Sequence, residues 1–264
     1  MLKNRLIPVL FLKDGFLVRS EKFSVHQILG NPIAQVERYN SWDVDELIYI
    51  DISSSDSYSQ KRIDLGEGKA DSNNIVDLIN VVSKKCFMPL TVGGRIRSLE
   101  EIRKRLHHGA DKITINAAAI EDPDFITSAS KCFGSQAIVV SIDVKKNADG
   151  DYKIFIDHGS KETHWTPEIW AQEVQKHGAG EIFLNSIDRD GTAEGYDNEL
   201  IKRVVNAVNI PVIACGGVAT YSDFGEMISY TDASAAAAGN IFHFRELSYA
   251  IAKKQLKAKN FNFR

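Results

Sequence analysis

The sequence predicts an α/β chain folded as a (β/α)8 barrel made of two half-barrel repeats. Three observations predict it. Short apolar runs alternate with amphipathic stretches from end to end. Glycine pairs recur at matching strand ends, in Val92-Gly93-Gly94 and Cys215-Gly216-Gly217. The 264 residues, 44% hydrophobic, are enough for one well-buried core of the size single α/β barrels have. An open doubly wound sheet is the alternative arrangement of the same alternation.

The elements follow in order. Strand one covers residues 6–12 and runs into the turn Lys13-Asp14-Gly15, and a helix follows over 32–42. Strand two covers 46–52. The polar segment 53–72 after it lies on the active-site face of a barrel, either covering the site or as a solvated insertion. A helix over 73–86 leads to strand three at 90–92. Ser98 caps a helix over 99–108, which Gly109 stops. Strand four is 112–115, and a helix over 122–132 precedes strand five at 137–144. Segment 145–165 holds Asp149-Gly150, a hairpin signal, before residues 152–157, and reads as a β-excursion over the same face. Thr166 precedes a helix over 167–177, stopped by Gly178. Strand six is 181–187, and a helix covers 198–208. Strand seven is 212–214, a helix over 221–228 opens at Ser222-Asp223, and strand eight is 235–238.

The halves echo each other beyond the glycine pairs. Asp51 after strand two matches Asp188 after strand six, and Ile115-Asn116-Ala117-Ala118 matches Ala237-Ala238-Gly239-Asn240. Neither half closes a sheet alone, so residues 1–264 read as one domain. A net charge of −3 gives no field for nucleic acid or acidic membrane. No run of about 18 apolar residues suggests a membrane span, and the start lacks the long apolar region of a signal peptide. Cys86, Cys132 and Cys215 are odd in number and scattered, which suggests core thiols in a reduced, cytoplasmic protein.

Glycine lets backbone N–H groups approach an anion. Gly93-Gly94 on one side, and Gly216-Gly217 with Asp190-Gly191-Thr192 and Gly239-Asn240 on the other, are candidate phosphate cradles or else tight strand–helix turns. Arg95 follows the first pair, with Arg97 nearby. Its side chain either obstructs the backbone or supplies a bidentate phosphate contact. Asp143 ends strand five and is a candidate general acid or base, the alternative being a loop anchor. Asp51, Asp188 and Asp190 end strands as loop anchors or hydroxyl contacts. The histidines lack metal-ligand spacing: His243 between Phe242 and Phe244 reads as packed, and His158 and His164 as surface residues within reach of substrate. No nucleophile triad, P-loop or zinc pattern occurs, and no cofactor or metal is expected. At Asp143's repeat-related position in strand one stands Phe11, which moves no proton.

Several segments carry a resemblance: Lys13-Asp14-Gly15, Gly109-Ala110-Asp111-Lys112, Phe133-Gly134-Ser135-Gln136-Ala137, Gly178-Ala179-Gly180-Glu181, Ser186-Ile187-Asp188-Arg189-Asp190-Gly191-Thr192 and Phe242-His243-Phe244-Arg245-Glu246. Over nearly its whole length the chain resembles the cyclase subunit of imidazole glycerol phosphate synthase. The resemblance implies a (β/α)8 barrel docked by its N-terminal face to a glutaminase. Ammonia would cross the barrel core to the far mouth, attack a ribulose-phosphate aminoimidazole precursor, and cyclisation with carbon–nitrogen cleavage would follow. It implies two catalytic aspartates, one matching Asp143 and the other falling on Phe11. It places a third cradle glycine on Arg95, a phosphate-site Asn-Thr pair on Asn116-Ala117, and hydroxyl residues on Asn185 and Asn240. Arg19 matches the substrate-loop lysine, and Asp51 and Asn185 fall with it among substrate contacts. Arg5, Glu46, Lys112 and Glu181 match an ammonia gate, and Asp111 an interface position.

A kept gate with a lost aspartate favours one subgroup: cyclase-like proteins encoded with surface-polysaccharide genes and associated with sugar amidation. There a separate sugar amidotransferase does the acceptor chemistry. A working cyclase of histidine biosynthesis is the second reading, and a phosphosugar barrel without a glutaminase the third.

Overall fold

The computed structural model describes residues 3–55, 57–58 and 74–264. Its elements run β1 (Arg5–Lys13), β2 (Phe16–Glu21), β3 (Val25–Gly30), α1 (Pro32–Ser41), β4 (Leu47–Asp51), α2 (Ile75–Ser83), β5 (Leu90–Gly93), α3 (Leu99–His107), β6 (Lys112–Ile115), α4 (Ala117–Glu121) and α5 (Asp124–Phe133). They continue through β7 (Ile138–Lys146), β8 (Tyr152–Ile156), β9 (Lys161–Glu162), α6 (Pro167–Lys176), β10 (Glu181–Ser186), α7 (Asn198–Ala207), β11 (Val212–Cys215), α8 (Tyr221–Thr231), β12 (Ala235–Ala238) and α9 (Ser248–Ala258).

Strands β1, β4, β5, β6, β7, β10, β11 and β12 pair in parallel around a ring. The pairing of the last strand with the first closes it. There Arg5 of β1 lies opposite Ala235 of β12, and across the excursion after β7, Glu181 of β10 lies opposite Val139. This is the (β/α)8 barrel that the alternation predicts, and the closure excludes the doubly wound sheet.

The alternation of side chains along β1 divides the core. Ile7, Val9 and Phe11 point inside with Ile48, Val139, Phe183, Ile213, Ala235 and Ala237. Leu6, Leu10 and Leu12 point outward, under the helices, with Tyr39, Trp170, Phe224 and Tyr249. Strand β12 is four alanines, so its wall of the interior is thin. Each large side chain buried here contributes roughly 1.5–3 kcal/mol.

The helices start and stop largely as expected. Ser98 Oγ accepts from Glu101 N, and Glu101 accepts from Ser98 N in a capping box. Gly109 and Gly178 take φ of 116° and 95° after α3 and α6. The cap of α8 differs from expectation: Thr220, not Ser222, is the N-cap, and Asp223 at the third helical position accepts from Thr220 N and Ala219 N.

Three additions were not read from the sequence. Residues 16–30 form the hairpin β2–β3, in which Val18 pairs with Phe11 at the C-terminal end of β1. The short α4 and the final α9 are the others. The excursion after strand five is present: β7 extends to Lys146, and β8 and β9 fold back. Most of the polar segment 53–72, namely residue 56 and residues 59–72, lies outside the described residues. One thiol departs from the core expectation, since Cys132 is exposed, Cys86 half-buried and Cys215 buried. Cys132 falls on the outward face of α5. Among the described residues, no helix is long and apolar enough to cross a membrane.

Candidate active site at the barrel mouth

The C-terminal strand ends open into two cavities of about 210 and 200 Å³. The first is walled by β4, β5, β6 and β7 ends and contains Asp51, Gly94, Arg95, Asn116, Asp143 and Asn185. The second contains Asp190, Gly191, Gly216, Gly217, Gly239 and Asn240. Phe11 lines both and stands between them.

Asp143 sits at the C-terminal part of β7, where the pleat turns its side chain inward. Three donors hold it. Asn185 Nδ2 donates to Oδ1 at 2.8 Å, Ser141 Oγ to Oδ1 at 3.0 Å, and Asn116 Nδ2 to Oδ2 at 2.6 Å. Burial pushes its pKa up, the three hydrogen bonds pull it down, and Asp190 adds a small upward push. Burial wins, and the pKa is raised to about 6. A buried carboxyl that titrates just below neutral pH can both take and return a proton. Among the described residues, the buried hydroxyl of Thr114 and Oδ1 of Asn116, in the same cavity, find no hydrogen-bond partner.

Phe11 has no such chemistry. Its side chain is 8% exposed, and its ring meets Phe23 edge-on at 6.5 Å between centroids. Phe23 belongs to the β2–β3 turn, which the other side of the mouth holds down. Ser20 Oγ and Phe23 N donate to Asp190 Oδ2 at 2.6 and 3.3 Å, and Asn240 Nδ2 donates to Ser20 O at 3.0 Å. Burial raises the Asp190 pKa against these hydrogen bonds. Asp190 is thus the anchor of a covering hairpin.

The first cradle is built around Asp51, which is 2% exposed. Its carboxylate accepts from Ser53 N at 3.0 Å, Ser53 Oγ, Tyr58 OH at 3.1 Å and Arg95 Nη2 at 2.9 Å. Gly93 ends β5, and Gly94 takes φ 108°, where a Cβ would collide with the Asp51 carbonyl oxygen. Gly217 takes φ 102° in the second cradle, against the Gly195 carbonyl. The repeat therefore extends to backbone shape. Gly191 approaches the Ser20 carbonyl just as closely.

Other expected residues fall elsewhere. Arg19 lines neither cavity; its guanidinium pairs with Glu21 at 3.0 Å on the same strand. Asp188 accepts from Lys146 N at 2.8 Å as a loop anchor. His158 lines the first cavity, whereas His164 packs on Trp165 with centroids 4.5 Å apart. His243 is packed, and burial lowers its pKa to about 4. Sequence reasoning missed Ser20, Phe23 and His26, all on the β2–β3 hairpin. The Asp14-Gly15 turn between apolar runs was the available signal. Among the described residues, no three His, Cys, Asp or Glu side chains form a cluster able to hold a metal ion.

At the opposite end of the barrel, four charges form a ring. Arg5 pairs with Glu46 at 2.7 Å and with Glu181; Lys112 Nζ pairs with Glu46 and Glu181 at 3.0 Å each. Burial opposes the Glu46 charge, but Arg5 and Lys112 outweigh it and lower its pKa. Burial likewise opposes the Arg5 charge, and Glu181 and Glu46 outweigh it, raising the pKa. The alternating signs close this end of the interior. Asp111 lies on the same face, exposed, with Oδ2 accepting from Leu90 N at 2.8 Å.

Residues 5–248 match the family described as histidine biosynthesis protein. The chain is 42% identical over 265 residues to the imidazole glycerol phosphate synthase subunit HisF of Clostridium botulinum (strain Okra / Type B1). It is 40% and 38% identical over 264 residues to the subunits of that name from Natranaerobius thermophilus and Alkaliphilus metalliredigens. All three alignments cover 100% of both chains.

Proposed function

The chain belongs to the histidine biosynthesis protein family, and from that membership we propose that it is the synthase subunit of a glutamine-dependent complex. A glutaminase docks at the ringed end and releases ammonia there. The ammonia reacts at the opposite mouth with a phosphorylated ligand. Asp143 carries this reading: a buried carboxyl with a pKa of about 6, held by three donors in the wall of the first cavity. Above that pH it is ionised and accepts a proton from a reacting nitrogen, then returns it to the leaving one. One such group is worth about 10²–10⁴-fold in rate.

The names of the full-length relatives make imidazole glycerol phosphate the first reading of the product. In that reading Asp143 is the acid–base group of a cyclisation that breaks a carbon–nitrogen bond. The surface-polysaccharide reading, favoured from sequence alone, draws no support from those names. One observation still favours it. Phe11 fills the place where the resemblance sets a second carboxylate, and its ring is packed into the mouth. In this second reading the barrel supplies ammonia to another acceptor, a sugar, through a separate amidotransferase.

The test mixes the purified chain with a glutaminase of the family, glutamine and the aminoimidazole precursor, and follows absorbance. Turnover at rates usual for an enzyme supports the first reading and discards the second. Glutamine hydrolysis stimulated by the barrel without cyclisation supports the second. Absence of complex formation and of stimulation would remove the synthase-subunit proposal altogether.

A further inference from the structure

The two oxygens of Asp143 are held differently. Ser141 and Asp143 stand two residues apart on β7, so the pleat turns both toward the first cavity. The register of β7 with β10 sets Asn185 directly opposite Asp143. These three side chains close a small ring of hydrogen bonds. Asn185 Nδ2 lies 2.8 Å from Asp143 Oδ1 and 3.3 Å from Ser141 Oγ, and Ser141 Oγ lies 3.0 Å from Asp143 Oδ1.

An ionised carboxylate only accepts, so the Ser141 hydroxyl gives its hydrogen to Oδ1. Its lone pair receives one amide hydrogen of Asn185, and the other amide hydrogen goes to Oδ1. Each carboxylate oxygen has about two lone-pair sites. The ring fills both on Oδ1. Among the described residues, Oδ2 receives a single donor, Asn116 Nδ2 at 2.6 Å. Its second lone pair is the site left for a proton. The titratable groups that act on Asp143 are Asp190 and the Cys215 thiol, and both stay in place in every variant below.

We propose that Ser141 and Asn185 are positioning residues for Asp143. They fix Oδ1 as a permanent acceptor and leave Oδ2 as the atom that takes up and returns the proton. A proton leaving a reacting nitrogen then bonds to Oδ2, the carboxyl becomes neutral with its double bond to Oδ1, and the same O–H bond breaks when the proton is returned. The proposal rests on Asp143 being the acid–base group of the mouth.

Infrared difference spectra of the full chain, taken as pH falls through about 6, test it. The C=O stretch that appears on protonation is assigned to Asp143 by its loss in Asp143→Asn. With the proton on Oδ2 that band belongs to C=Oδ1, and donors to a carbonyl oxygen lower its frequency. Ser141→Ala is expected to move the band to higher frequency, Ser141→Thr to restore it, and Asn116→Ala, which acts on Oδ2, to leave it in place. Asn116 makes no side-chain cap to α4, so that variant leaves the helix its start. Ser141→Ala also removes a donor to the ionised form, so the acid limb of the turnover profile should move up by about one pH unit. A band that moves in Asn116→Ala and not in Ser141→Ala puts the proton on Oδ1 and overturns the proposal. A moved band with an unmoved pH profile makes the ring a packing feature and overturns the positioning role. If the unaltered chain shows the band but turns nothing over, the acid–base reading of Asp143 falls and the proposal with it.

Discussion

The Phe11 ring meets the Phe23 ring edge-on at 65°, joining the floor of the mouth to the hairpin above it. Such a pair is worth about 0.5–1.5 kcal/mol beyond the area it buries. The polar side of the same closure is the Ser20–Asp190 hydrogen bond at 2.6 Å. Replacing Phe11 therefore changes both the floor and the cover.

Phe11→Ala should lower unfolding stability by about 3 kcal/mol and free the hairpin. Denaturant titration reads the first effect. Trypsin cleavage after Arg19 and Lys22 reads the second, and should speed up under conditions where the rest of the barrel stays intact. Unchanged cleavage would mean that the Asp190 hydrogen bonds alone hold the hairpin.

Asp143 gives a pH prediction with a definite sign. Its pKa is about 6 in the folded chain against an ordinary 3.8. Between those values the folded state binds more protons, so stability falls as pH rises through that window. Asp143→Asn should then gain on the order of 2 kcal/mol over the unaltered chain at pH 7.5, and the gain should vanish near pH 4. Turnover should drop by about 10²–10⁴-fold, and turnover of the unaltered chain should rise with pH through about 6. A variant less stable by the same amount at every pH would show that the hydrogen bonds of Asn116 and Asn185, not burial, dominate there.

Lys112→Glu sets a third acid beside Glu46 and Glu181 and leaves Arg5 as the ring's cation. Losing a partly buried pair costs about 3–5 kcal/mol. Denaturant unfolding should report that loss, together with weaker stimulation of a glutaminase. Normal stimulation with lowered stability would make the ring a structural clasp only.

The barrel was legible because its strands are short apolar runs and its helices carry start and stop residues such as Ser98 and Gly109. The hairpin was not, because residues 25–30 are largely exposed and show little alternation. Periodicity finds an element that buries one face, and β3 buries little. At the site, Asp143 and the glycine pairs were legible as strand ends, since the ends of parallel strands converge in a closed barrel, whereas Asn116 and Asn185 came from the resemblance. The orientation of Arg19 was not legible, because a hairpin residue faces whichever way its register sets, and its guanidinium pairs with Glu21. The Asp51–Arg95 pair needed coordinates: the two are far apart in sequence and meet through adjacent strands β4 and β5.

The alanines of β12 bear on how Phe11 fits. Ala235 and Ala237 share the interior with it, and a methyl group placed on Gly239 would lie 3.8 Å from Phe11 Cε2. The same methyl would lie 3.2 Å from the Val9 carbonyl oxygen, the tighter of the two contacts. The aromatic ring at 11 and the slim residues at 237 and 239 therefore fit as one unit, in which a bulkier side chain at 239 would press first on the β1 backbone and then on the ring.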